Sequence, residues 1–147
     1  MDVPWLTEEQ QRHWRAIITG IARLNEALGR QLERDSDLST SEYEILVRLS
    51  ESPDRTMRMA ELADAVVHSR SRLTHTVNRL EKRGLVERRP CPEDRRGVNC
   101  AMTEEGFAVL EAAAPGHVRE VRRQLVDVLT DDELRTLGAA MAKIARD

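Results

Sequence analysis

Apolar residues recur at spacings of three, four and seven along most of the chain, which predicts a series of helices with one buried stripe each. Thr7-Glu8-Glu9-Gln10 reads as a capping box, and Trp14, Ile17, Ile18, Ile21, Leu24, Leu28 and Leu32 carry a long first helix to about residue 34. Asp35-Ser36-Asp37 breaks it. A second capping box, Ser39 to Glu42, opens a helix to about Ser50 with Tyr43, Leu46, Val47 and Leu49 inward. A turn and a short extended piece (56–58) lead to a short helix over 59–66, a tight corner at His68, and a helix over 69–83. Ser69 is placed to cap that helix, and Gly84 to end it with positive φ. Residues 85–89 and 98–102 predict two strands. Between them residues 90–97 predict a protruding loop, since two prolines interrupt the ladder. Thr103 caps a long helix in which Phe107, Leu110, Ala114, Val118, Val121, Leu125 and Val128 run near a 3.5-residue repeat, with Pro115 as a point of distortion. Thr130 to Glu133 is a third capping box and opens the final helix.

One helix departs from the usual balance of its polar face. Opposite Leu73, Val77 and Leu80, the helix over 69–83 carries Arg70, Ser71, Thr74, His75, Asn78 and Arg79, with no acid between Arg70 and Arg79. A merely solvated face mixes Glu with Lys. From His68 to Arg96 there are nine Lys or Arg against four acids, net +5, in a chain whose total is −3. Concentrating positive charge in an acidic chain matches a surface that binds phosphates, and the helix has the donors to lie in a DNA major groove.

Composition narrows the class. At 147 residues, 40% apolar and 33% charged, the chain is sized for one domain over 1–147 and contains no run of about 18 apolar residues that would suggest a membrane span. Its beginning, MDVPWLTEEQ, lacks a secretory pattern and predicts a cytoplasmic protein. The four aromatics, Trp5, Trp14, Tyr43 and Phe107, all lie outside the basic stretch, which favours duplex DNA over single strands that need stacking platforms. Cys91 and Cys100 are too far apart for a CxxC site. Cys100 reads as a small core residue, and Cys91 as an exposed thiol beside arginines, open to a redox role. The four histidines form no ligand cluster and no enzyme motif occurs, so neither a metal, a cofactor nor catalysis is expected. The terminal helices carry more apolar stripe than one small domain can cover. This predicts a homodimer, with two reading helices on half-sites roughly 10 bp apart.

The run SRSRLTHTVNRLEKRGLVERR followed by PCPEDRRGVNCAMTEEG resembles the winged helix-turn-helix of the MarR family of bacterial transcriptional regulators, most recognisably in Asp94-Arg95-Arg96-Gly97 and Thr103-Glu104-Glu105-Gly106. The resemblance runs from about residue 10 to the end. It implies a mainly α fold with a small β-hairpin wing: a DNA-binding lobe over 38–102 flanked by dimerisation helices over 7–34 and 103–147. On the reading helix it implies base or phosphate contacts from His75 and Arg79. Their neighbours Arg70, Ser71, Thr74 and Asn78 share or flank that face, and Ser69 and Ser71 are placed for phosphate at the helix start. Arg79 suits guanine and Asn78 could pair with adenine, while Arg72 is a candidate to turn back to the scaffold. Arg96, with Arg95 beside it, matches the family's minor-groove arginine. Asp94 suits bracing an arginine, and Arg88 and Arg89 are open between phosphate contact and strand edge. The family is usually repressing, and its effectors are often aromatic or phenolic acids, for which His13, Trp14 and Tyr43 are candidate lining groups. Two alternatives stay open: a redox-switched regulator through Cys91, and a winged-helix protein–protein module.

Overall fold

The computed structural model describes residues 1–146. The elements are α1 (Glu8–Ser36), α2 (Thr40–Ser50), a 3-10 turn (Pro53–Arg55), β1 (Thr56–Arg58), α3 (Met59–Ala65), α4 (Arg70–Lys82), β2 (Val86–Cys91), β3 (Asp94–Met102), α5 (Glu104–Val121), a π-helical turn (Arg122–Val126) and α6 (Asp131–Ala145). The fold is mainly α with a three-stranded antiparallel sheet in the order β1-β3-β2. The chain forms two compact units, one of Gln31–His117 and one of Met1–Arg30 with Val118–Asp147. The first is larger than the lobe expected over 38–102, because Leu32, Leu110 and Ala113 are themselves buried in it.

Within the Gln31–His117 unit, α2, α3, α4 and the sheet enclose Ile45, Leu46, Leu49, Leu62, Leu73, Val77, Leu80, Val86 and Cys100. Local chemistry sets the element ends. Ser39 Oγ accepts from the Glu42 amide at 3.0 Å while Glu42 Oε1 accepts from the Ser39 amide at 3.0 Å. The other Glu42 oxygen pairs with Arg83 at 3.4 Å, and Arg83 also donates to the Asp37 carbonyl at 2.7 Å. The residue ending α4 is thus tied to the residues opening α2, and the nearly buried Glu42 charge is neutralised. At the far end of the unit the buried Gln31 donates to Asp35 at 3.1 Å and accepts from His117 Nδ1 at 3.0 Å. A carboxamide oxygen can only accept, so this contact is a hydrogen bond in the tautomer that carries a proton on Nδ1.

Gly84 does turn with positive φ (74°) after α4. The corner between α3 and α4 is less comfortable: Val67 has φ 55° and is 87% exposed. A β-branched residue in the left-handed region is strained and this one gains no packing in return. Val67→Asn is therefore expected to raise stability by about 1 kcal/mol, read as a higher urea midpoint at constant slope.

Two expectations are corrected. The loop expected over 90–97 is mostly strand, with β2 running through Pro90 to Cys91, β3 opening at Asp94, and only Pro92 and Glu93 between. β2 is an edge strand, where a missing N–H need cost no ladder bond. A register shift between Pro90 and Cys91 absorbs the irregularity. The long helix expected from Thr103 to Val128 keeps α geometry only to Val121, and its irregular turn is the π segment Arg122–Val126; Pro115 lies inside α5.

In the other unit, none of the described residues is buried. Ile17 and Ile21 of α1, Leu125 of the π turn, and Leu137, Met141 and Ile144 of α6 line an open apolar groove of about 370 Å³. The Thr130–Glu133 capping box opens α6.

Candidate nucleic-acid interface

α4 begins where the Ser69 hydroxyl accepts from the Arg72 amide at 3.1 Å. Its first turn contains no acid. Leu73, Thr76, Val77 and Leu80 face the core, which turns Arg70, Ser71, Thr74, His75, Asn78 and Arg79 to the outside, all of them exposed. Arg72 donates to Ser41 Oγ on α2 at 3.0 Å and so serves the scaffold. The outer face therefore offers two guanidinium groups, hydroxyls, an imidazole and a carboxamide, with Ser69 and the free first-turn amides at one end. Glu81 is the helix's sole acid and is engaged by Arg88 of β2, which donates to it through Nη1 at 2.7 Å and through its backbone amide at 2.9 Å. Arg88 is thus committed within the protein, and Arg89 is paired with Glu87. Arg88 Nη2 also donates to Asn78 Oδ1 at 2.5 Å.

At the wing, Asp94 Oδ1 accepts from the Arg96 amide at 3.0 Å, and Asp94 Oδ2 lies 3.9 Å from Arg58 Nη1. The carboxylate braces the hairpin and leaves the Arg95 and Arg96 side chains exposed. Space at Gly97 is tight, since a Cβ there would lie 3.1 Å from Cys91 Cβ and 3.4 Å from the Asp94 carbonyl oxygen. Arg58, Arg70, Thr74, Asp94 and Arg96 line a groove of about 380 Å³ between the start of α4 and the wing. Arg58 escaped the sequence reading; only the pairing of β1 with β3, Arg58 opposite Asn99, brings it to the wing.

Cys91 departs from expectation. It is 7% exposed, beneath Arg58, whose Nη2 donates to its sulfur at 3.3 Å. The continuation of β2 through Pro90 tucks it under the hairpin. Cys100 is fully buried, and burial pushes its thiol pKa up to about 12. Among the described residues no group of three His, Cys, Asp or Glu side chains is placed to hold a metal ion, and no helix is long and apolar enough to cross a membrane.

The candidate effector residues lie on different elements. His13, exposed on α1, sits 3.6 Å from Glu9, and Trp14 on the same helix is 53% exposed. Tyr43 on α2 packs against the core and contacts the His117 ring, centroids 4.3 Å apart, beside a cleft of about 430 Å³ that also involves Thr40, Glu44 and Arg48.

A MarR family sequence model matches residues 36–97, which span α2 to the wing. The chain is also 45% identical to Sco3205, a MarR family transcriptional regulator from Streptomyces coelicolor solved in complex with DNA; the match covers 98% of this chain and 90% of that one, with a TM-score of 0.95. The chain belongs to the MarR family. This MarR-family chain is 40% identical to AbsC, another such regulator from Streptomyces coelicolor, over 98% of this chain and 97% of that one, with a TM-score of 0.93. CouR from Rhodococcus jostii RHA1, solved bound to p-coumaroyl-CoA, is 25% identical over 88% of this chain and 87% of that one, with a TM-score of 0.75. The winged helix-turn-helix is that of a DNA-binding transcriptional regulator, and this family assignment gives no support to an enzyme.

Proposed function

We propose that this MarR-family regulator acts as a homodimeric, ligand-responsive repressor on a pseudo-palindromic operator in the cytoplasm. The observation that carries the dimer is the unit of Met1–Arg30 and Val118–Asp147, in which no described residue is buried and Ile17, Ile18, Ile21, Met141 and Ile144 are each at least 40% exposed. Apolar stripes on three helical segments with nothing over them match the seam of two interleaved chains. Helices within 7–34 and 103–147 supply that seam, while α5 up to His117 also serves the DNA-binding unit.

On the DNA side Arg79 is assigned to a base edge, and Arg70, Ser71, Thr74 and His75 to bases or adjacent phosphates. Ser69 holds phosphate at the helix start, and Arg95 and Arg96 reach the minor groove beside it. The assignment rests on the acid-free exposed face of α4 and on a wing braced by Asp94. For the effector, an aromatic or phenolic acid is the class proposed, as suggested by CouR with p-coumaroyl-CoA, with the open cleft beside Tyr43 and His117 as its site and His13 and Trp14 as further lining groups. An effector that prefers the DNA-incompetent arrangement releases the operator by linkage.

The test is light scattering combined with fluorescence anisotropy on the DNA upstream of the chain's own gene. A dimer mass and a specific Kd that weakens on the order of 10³-fold between 50 and 200 mM salt are expected. A monomer, or equal binding to a scrambled duplex, would overturn the reading. A phenolic acid panel on that complex then tests release.

A further inference from the structure

Arg88 does more than fasten β2 to α4. Its Nη2 donates both to the Thr74 carbonyl at 3.3 Å and to Asn78 Oδ1 at 2.5 Å, while Glu81 holds the opposite side of the guanidinium at 2.7 Å. The Arg88 side chain is 26% exposed, lying along the flank of the helix whose exposed face carries Thr74 and Asn78. A guanidinium has five donors and no acceptor. The carboxamide of Asn78 must therefore turn its oxygen to Arg88, and its Nδ2 has no hydrogen-bond partner among the described residues.

This orientation bears on which base Asn78 reads. Pairing with adenine needs the carboxamide oxygen to accept from N6 while the nitrogen donates to N7. With the oxygen turned toward Arg88, which takes one of its two lone pairs, Asn78 meets the major groove through Nδ2, a group with two N–H donors. The base edge that presents two adjacent acceptors there is guanine, through N7 and O6. We propose that Arg88 is a positioning residue that holds the Asn78 oxygen on the protein side and turns its Nδ2 toward guanine. The proposal rests on α4 being the DNA-reading helix. It replaces the adenine pairing that Asn78 suggests when considered alone.

The experiment selects preferred duplexes from a randomised pool with the full-length wild type, Asn78→Ala, Arg88→Met and Arg88→Lys, each checked by thermal melting. The base pair whose preference disappears in Asn78→Ala is expected to be G·C. Replacing its guanine by 7-deazaguanine should weaken the wild type roughly tenfold and leave Asn78→Ala unaffected. Arg88→Met, which cannot donate, should admit A·T at that pair alone, and Arg88→Lys, which can, should restore G·C. An Asn78-dependent A·T pair in the wild type overturns the proposal. So does Arg88→Met if it leaves the preference at that pair intact or weakens every position equally, as a purely structural strap would. If Arg88→Met fails to fold, the 7-deazaguanine comparison and Arg88→Lys decide. A wild type that selects no sequence overturns the DNA-reading assignment itself and the proposal with it, whereas selection without an Asn78-dependent pair overturns the proposal alone.

Discussion

Gly106→Ala is expected to destabilise the chain by about 3 kcal/mol, at the upper end of what overpacking costs. Gly106 sits in the first turn of α5, where alanine is otherwise the better residue by about 1 kcal/mol. Here a Cβ would lie 2.1 Å from the Leu85 carbonyl oxygen, 3.0 Å from its carbon and 2.9 Å from Met102 Cγ. Two of the three obstacles are backbone, so no side-chain rotation clears them. That backbone is also tied down: the Leu85 carbonyl accepts from the Thr103 amide at 3.1 Å, and Thr103 Oγ1 donates to the Gly84 carbonyl at 2.7 Å while accepting from the Gly106 amide at 3.0 Å. Making room therefore separates α5 from the segment that ends α4 and starts β2. Gly138→Ala is the control, since it has nothing within 4 Å in α6 and should gain about 0.5–1 kcal/mol from propensity. Urea unfolding of both variants reads the opposite signs directly. Equal gains would show that α5 does not make this close approach.

The second large effect concerns DNA. Arg79→Ala is expected to lose about 1–3 kcal/mol of operator affinity per half-site, concentrated at one base pair, with unfolding stability unchanged. Arg79 is exposed on the outer face of α4, beside a shallow hollow shared with His75, Asn78 and Lys82, and has no acid partner among the described residues. A free guanidinium on a rigid helix can donate two bonds to one guanine. Lys82→Ala serves as contrast: this exposed lysine in the same hollow is expected to meet phosphate alone, so its loss should weaken all duplexes alike and lower the salt slope by about one. If Arg79→Ala instead behaves in that second way, Arg79 holds phosphate and base reading passes to its neighbours.

Much of this architecture is readable from local chemistry. Ser39, Ser69 and Thr130 cap the helices they precede, and Gly84 adopts the positive φ that its place after Lys82 and Arg83 suggests. Such signals need only residues three or four apart. What escaped depends on partners brought together by the sheet. Arg58 reaches the wing because β1 pairs with β3, and Arg88 reaches α4 because β2 packs against that helix. Cys91 is buried because a register shift lets the strand pass a proline, an outcome that depends on β2 being at the edge. Arg70, Ser71, Thr74, His75 and Arg79 were visible as a face; the internal bond that sets the direction of Asn78 was not.

The contact between Gln31 and His117 has a consequence for engineering. These are the first and last residues of the compact unit that holds α2, α3, α4, the sheet and the wing, and their side chains meet at 3.0 Å. A segment whose two ends are clasped in this way can enter and leave a host protein at almost one point, the condition under which insertions are tolerated. A graft of this unit into a surface loop of an unrelated carrier must bring whole helical turns beyond both residues, because Gln31 lies inside α1 and His117 inside α5.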